Sequence, residues 1–185
     1  MFRLLAISIT ATTLTLGNGP AIAAEWVVDY AKSQLEFEVV QGDSTLKGKI
    51  ANWSAAIDFD SGSPENAKIS ATIDTGSMST GNAQVDGMLP TPQWLDVAIF
   101  PAAEFRSKTV QALSENSYQV EGTLTLRGVQ KDIVLVFDLN ENGKSATAKM
   151  STSLARLDFD IGNGVGVGYV ENNISVTGYI SASTK

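Results

Sequence analysis

From Glu25 to the end of the chain, apolar residues recur at every second position, and this alternation constrains the fold more than any other feature. A period of two sends successive side chains to opposite faces, so each stripe is the core side of a strand whose other side meets water. Leu35, Phe37 and Val39 alternate with Gln34, Glu36 and Glu38, and Ile69, Ala71 and Ile73 with Lys68, Ser70 and Thr72. Tyr118, Val120, Gly122, Leu124 and Leu126 form a further stripe. Ile133, Leu135, Phe137 and Leu139 follow, then Ala146, Ala148 and Met150, and finally Ile174, Val176, Gly178 and Ile180. Turn sequences at Gln41-Gly42-Asp43, Asp60-Ser61-Gly62-Ser63-Pro64 and Asn142-Gly143 join neighbouring stripes and predict an antiparallel meander. A sheet this long left open would expose two edges, and closure removes them, which predicts an all-β barrel of about eight strands.

One stretch breaks the pattern, from Thr75 to Pro101. Thr91 as N-cap and Pro92 at the first helical position predict one short helical turn over Gln93 to Asp96. With Met78, Met88, Leu89, Trp94, Leu95 and Phe100 the segment is too apolar for disorder, and a loop of this length is expected to cover something apolar.

Residues 1–23 read as a secretory signal peptide: one positive charge at Arg3, an apolar run from Leu4 to Leu16, and Ala21-Ile22-Ala23 before the cleavage point. The run falls short of the roughly 20 residues that span a bilayer. Residues 24–185 then form one domain, expected to be periplasmic or secreted. The absence of Cys suits an oxidising compartment.

The chain also has no His. Without His or Cys there is no Ser-His-Asp or Cys-His nucleophile pair and none of the usual zinc sites, so neither catalysis nor a metal is expected. A formal charge of −7 argues against nucleic acid as a partner. Asp58/Asp60 and Asp158/Asp160 each flank a Phe; on a strand the Phe faces the core and the carboxylates face water, a poor place for acid and base catalysis. Asp-Phe-Asp-Ser-Gly-Ser and Asp-Phe-Asp-Ile-Gly-Asn fail the calcium-loop pattern, lacking both the third oxygen ligand and the distant Glu. The alternating glycines Gly162, Gly164, Gly166 and Gly168 precede more strand rather than a helix, so they read as a strand or loop with one bare face. Arg127 and Arg156 sit among apolar residues. Arg156 is in register with Asp158, and either an ion pair there or contact with a polar ligand head is open.

Several segments resemble the YceI-type polyisoprenoid-binding family, exported lipocalin-like barrels. The opening Glu25-Trp-Val-Val-Asp-Tyr-Ala-Lys-Ser-Gln-Leu-Glu-Phe37 is close to the family's W-x-(I/V)-D-x-x-x-S-x-(I/L)-x-F. Trp94, Leu95, Asp96, Phe100, Pro101, Phe105 and Ser107 fall at its aromatic, acidic, F-P and F-x-S positions, and LTLRGVQK and RLDFDIG complete the match. The chain departs from the family in having Lys32 before Ser33, no His, and Val85 before Asp86. The resemblance implies a long-chain amphiphile, such as a polyprenyl quinone, a polyprenyl phosphate or a fatty acid or amide, bound in a barrel tunnel, with no other cofactor. Phe37, Val39, Leu46, Ile50, Ile69 and Phe105 are then expected to line the tunnel. Met78, Met88, Leu89 and Trp94 would lie over its mouth, with Arg156 a candidate for the polar end. Transient membrane contact and a homodimer stay open. Two other readings compete: an exported enzyme, and a partner-binding barrel filled by its own side chains, which would contain no cavity.

Overall fold

A computed structural model describes residues 24–184, and residues 1–23, which carry the expected signal peptide, lie outside them. The strands are β1 (Ala24–Val28), β2 (Gln34–Gln41), β3 (Ser44–Ile50), β4 (Trp53–Phe59), β5 (Lys68–Asp74), β6 (Met78–Ser79), β7 (Ala102–Ala112), β8 (Ser117–Leu126), β9 (Val129–Asn142), β10 (Ser145–Ala155) and β11 (Val170–Thr184), and the six stripes fall on β2, β5, β8, β9, β10 and β11. Among the described residues the single α-helix is α1 (Ala83–Met88), between β6 and β7. Along β8 the alternation is complete: Tyr118, Val120, Gly122, Leu124 and Leu126 are buried and the residues between them are not.

Hydrogen-bonded neighbours run β1, β4, β5, β7, β8, β9, β10, β11, and β11 pairs back with β1, closing an eight-membered antiparallel ring. The other long strands extend it. β2 continues β1 after a 3-10 turn at Tyr30–Lys32, and β3 leads into β4 through Ala51 and Asn52, so β2 and β3 pair over the upper half of the same wall. At the break the Tyr30 hydroxyl accepts from the Ala55 amide (3.1 Å) and its ring meets Trp53 edge-on at 4.9 Å. The Ser33 hydroxyl donates to the Asp29 carbonyl (2.7 Å) and accepts from the Ser181 amide (2.9 Å). Thus Asp29 and Ser33 of the opening motif hold the kink between β1 and β2 onto β11.

An up-and-down meander sorts its connections to two ends. At one end lie short turns and both chain ends of the barrel. There Phe59, Tyr118 and Phe137 pack ring to ring, Phe59 nearly perpendicular to Tyr118 (5.0 Å, 83°) and to Phe137 (5.5 Å, 76°). The Trp26 indole donates to the Phe59 carbonyl (3.0 Å) and caps this floor. At the other end lie the β2–β3 turn, the segment 75–101, the Arg127-Gly128 turn and the segment 156–169.

One local expectation is corrected and one open alternative is decided. The helix forms over Ala83–Met88, not Gln93 to Asp96, because the Asn82 side chain accepts from the amides of Gln84 and Val85. Thr91 instead donates its hydroxyl back to the Met88 carbonyl (2.7 Å), closing the end of that helix, and 91–96 is a tight turn. Of the two readings of the glycine-alternating segment the loop holds: it is a series of turns, with φ of +63° at Gly162 and +88° at Gly164.

Candidate functional site

The inward stripes do not fill the ring. A barrel of this size has room for side chains or for one small ligand, and here many inward positions carry small residues: Ala55, Ala71, Ala103, Ala146, Ala148 and Ala182. They leave a cavity of about 240 Å³ above the aromatic floor. Ile69, Ala71 and Ile73 are accordingly only part-buried, since they border the hollow as well as packing against the core. Thr152 is the only residue with a polar side-chain oxygen on that wall, and its hydroxyl already donates to the Val134 carbonyl (2.7 Å).

A second cavity of about 120 Å³ lies toward the mouth, between β2, β3, the start of β11 and the 75–101 segment. Ile50, Met78, Leu126, Leu154 and Val176 border both cavities, so this belt separates two chambers of one apolar hollow. A barrel filled by its own side chains is therefore not what the chain forms.

All eleven residues picked from the sequence border this hollow. Ile69 and Phe105 line the inner chamber; Phe37, Val39, Leu46, Met88, Leu89, Trp94 and Arg156 line the outer one; Ile50 and Met78 stand in the belt. The rest of the belt, Leu126, Leu154 and Val176, was not singled out, although its position on inward stripes is the signal that would have found it. Trp26 and Trp53 also reach the inner wall.

Close approach shapes the wall at two glycines. The Phe37 ring lies flat over Gly48, its cross-strand partner, where any Cβ would collide with it. At Gly122 a Cβ would stand 2.5 Å from the Arg106 carbonyl oxygen and from the Phe105 ring. Both rings turn inward only because the facing residue has no side chain. Beside Phe105, Ser107 is structural: its hydroxyl accepts from the Ile69 amide (2.9 Å).

Of the two readings left open for Arg156, the ion pair with Asp158 does not form, and Asp158 is exposed. At 1% exposure Arg156 donates all five N–H bonds to main-chain carbonyls: Nε to Glu171 (3.0 Å), Nη1 to Ile161 and Gly162 (both 2.9 Å), Nη2 to Val165 (2.8 Å) and Val170 (2.9 Å). The segment 161–170 is thus wound around one cation, and burial pushes its pKa below the usual arginine value. What it presents to the outer chamber is its aliphatic stem and a saturated donor set. Asp158 and Asp160 belong to this winding rather than to a strand: Phe159 is buried in a 3-10 turn, with Asp160 left-handed at φ +56° behind it.

Arg127 performs a similar task across the mouth. Left-handed at φ +53°, it donates to the carbonyls of Asp160 and Pro92, tying the 156–169 segment to the 75–101 segment. That second segment is braced from within. The Asp86 carboxylate accepts from Thr80 N (2.6 Å), Thr80 Oγ1 (2.7 Å), Ser79 Oγ (2.8 Å) and Gly81 N (3.1 Å), and these bonds hold its pKa down to about 2. Thr75 closes the far end, its amide bonded to the Pro101 carbonyl (3.0 Å) and its hydroxyl to that of Phe100 (2.7 Å), which accounts for the F-P pair.

This architecture is shared. Over residues 26–182 the chain matches the model of the YceI-like domain. A UPF0312 protein of Pseudomonas savastanoi pv. phaseolicola is 35% identical over 135 residues, covering 71% of this chain and 70% of that protein. The crystal structure of Burkholderia cenocepacia BcnA has the same fold, with a TM-score of 0.80 at 24% identity over 85% of this chain and 100% of that one. So does a polyisoprenoid-binding domain from Saccharophagus degradans implicated in plant cell wall breakdown, with a TM-score of 0.68 at 14% identity over 89% and 99% of the two chains. A match that runs almost from the first strand to the last, on a barrel of the same design, places the chain in the YceI-like domain family.

Proposed function

We propose that the protein is an exported carrier or store for a long-chain amphiphile of the polyisoprenoid type, held with its chain along the barrel axis. The observation that carries this reading is the two-chambered hollow, walled almost entirely by aliphatic and aromatic side chains and closed by aromatic rings at one end. Such a wall rewards removal of hydrocarbon from water at about 0.8 kcal/mol per buried CH2 and offers little else. The polyisoprenoid-binding activity of the Saccharophagus degradans domain, which shares the fold, supports the same ligand class. Export follows from the signal-peptide reading of residues 1–23. The walls bring no nucleophile or acid–base pair into contact with the hollow, which favours carriage over catalysis.

The test is mass spectrometry of an organic-solvent extract of the mature protein, purified without detergent beside a mock preparation. A stoichiometric isoprenoid or other long-chain lipid is expected. Folded protein that yields none, and takes up none when offered polyprenols and quinones, would overturn the proposal.

A further inference from the structure

We infer that the amphiphile taken up by this chain ends in a neutral group: the tunnel accepts alcohol, quinone or amide ends and discriminates against phosphate and carboxylate ends of the same chain length. The inference rests on the carrier reading and narrows its ligand class.

The first ground is donor supply. An anionic head drawn against an apolar wall loses its hydration and needs a cation or several free N–H groups in exchange. Arg156 is the only charged residue bordering either chamber, and every one of its N–H bonds already ends on a carbonyl of Ile161, Gly162, Val165, Val170 or Glu171. Redirecting it toward a ligand would unwind the segment it organises. Arg127, the other cation on the mouth connections, bonds Asp160 and Pro92 through its terminal nitrogens; its Nε is buried without a partner among the described residues, and the residue borders neither chamber.

The second ground is the field around the opening. The connections that form the mouth carry Asp43, Asp86, Asp96, Asp158 and Asp160, and apart from those two committed arginines they carry no Lys or Arg. On the adjoining strand β3, Lys47 is paired with Glu38 at 2.6 Å. An incoming phosphate or carboxylate therefore meets five carboxylates against two arginines whose terminal nitrogens already bond carbonyls. A hydroxyl, quinone or amide end needs neither.

The measurement is quenching of intrinsic Trp fluorescence, since Trp26, Trp53 and Trp94 border the chambers. The delipidated mature protein is titrated with a polyprenol and with its monophosphate of identical chain length, and separately with a fatty amide and the matching fatty acid above its pKa. The neutral member of each pair is expected to bind at least about tenfold more tightly. Equal or tighter binding of the phosphate or the carboxylate overturns the inference and leaves the carrier reading standing. Failure of all four to bind overturns both.

Discussion

At the floor, Phe59, Tyr118 and Phe137 come from three different strands and meet ring against ring, whereas at the mouth the contacts that hold the loops are polar and run from side chain to main chain. Each choice follows from the connections available. Short turns at the floor bring strand ends together, and rings can span the gap between them. Long segments at the mouth have carbonyls and amides that a strand ladder would have satisfied, so two arginines donate to the carbonyls and Asp86 accepts from the amides of Thr80 and Gly81. Packing closes one end permanently, while the other is held by bonds that water can replace. A chain-shaped ligand would enter from the mouth.

The comparison can be broken most sharply at the floor. Phe59→Ala removes a ring that is 97% buried by its neighbours, and should cost about 3–5 kcal/mol in urea unfolding. A loss below about 1 kcal/mol would mean that the rings do not anchor the barrel. At the mouth, Arg156→Met keeps the stem but orphans five carbonyls, with an expected cost of about 2–3 kcal/mol. Amide exchange should accelerate across 161–170 while floor amides keep their protection; uniform acceleration would refute the separation of the two ends.

Between the ends, Met78→Trp fills the belt. Stability should change by no more than about 1 kcal/mol, because the added ring enters a hollow rather than a packed core. Long-chain uptake should fall at least about tenfold while short chains, which need only the outer chamber, still bind. The smallest effect is expected from Asp86. Its pKa lies below the ordinary 3.8, so the ionised form favours the folded loop. That contribution is complete above about pH 5 and is lost as pH falls from about 4 through about 2. Asp86→Asn should abolish this acid-range change in the exchange of 79–88 and leave the global unfolding midpoint at neutral pH unmoved.

How far the site could be read from the chain differs between strands and loops. Phe37, Ile50, Ile69 and Phe105 were legible because period two assigns a face without reference to any partner. The helix at Ala83–Met88 was not: Gly87 lowers its propensity, and the bonds from Asp86 back to Ser79, Thr80 and Gly81 that support it appear only once the loop is folded. Arg156 was the hardest case. Its neighbours in sequence suggested Asp158 or a ligand head, yet its partners are carbonyls supplied by a segment that curls back over it.

The linear pattern by itself determined the strands, their inward faces, the meander and its closure, because alternation and short turns are local properties that leave few topologies open. Tertiary structure alone decided that the inside is hollow, that Ile50, Met78, Leu126, Leu154 and Val176 divide it, and that both mouth arginines are tied to main-chain carbonyls. Volume and donor balance are sums over residues far apart in the chain, and no stretch of sequence contains them.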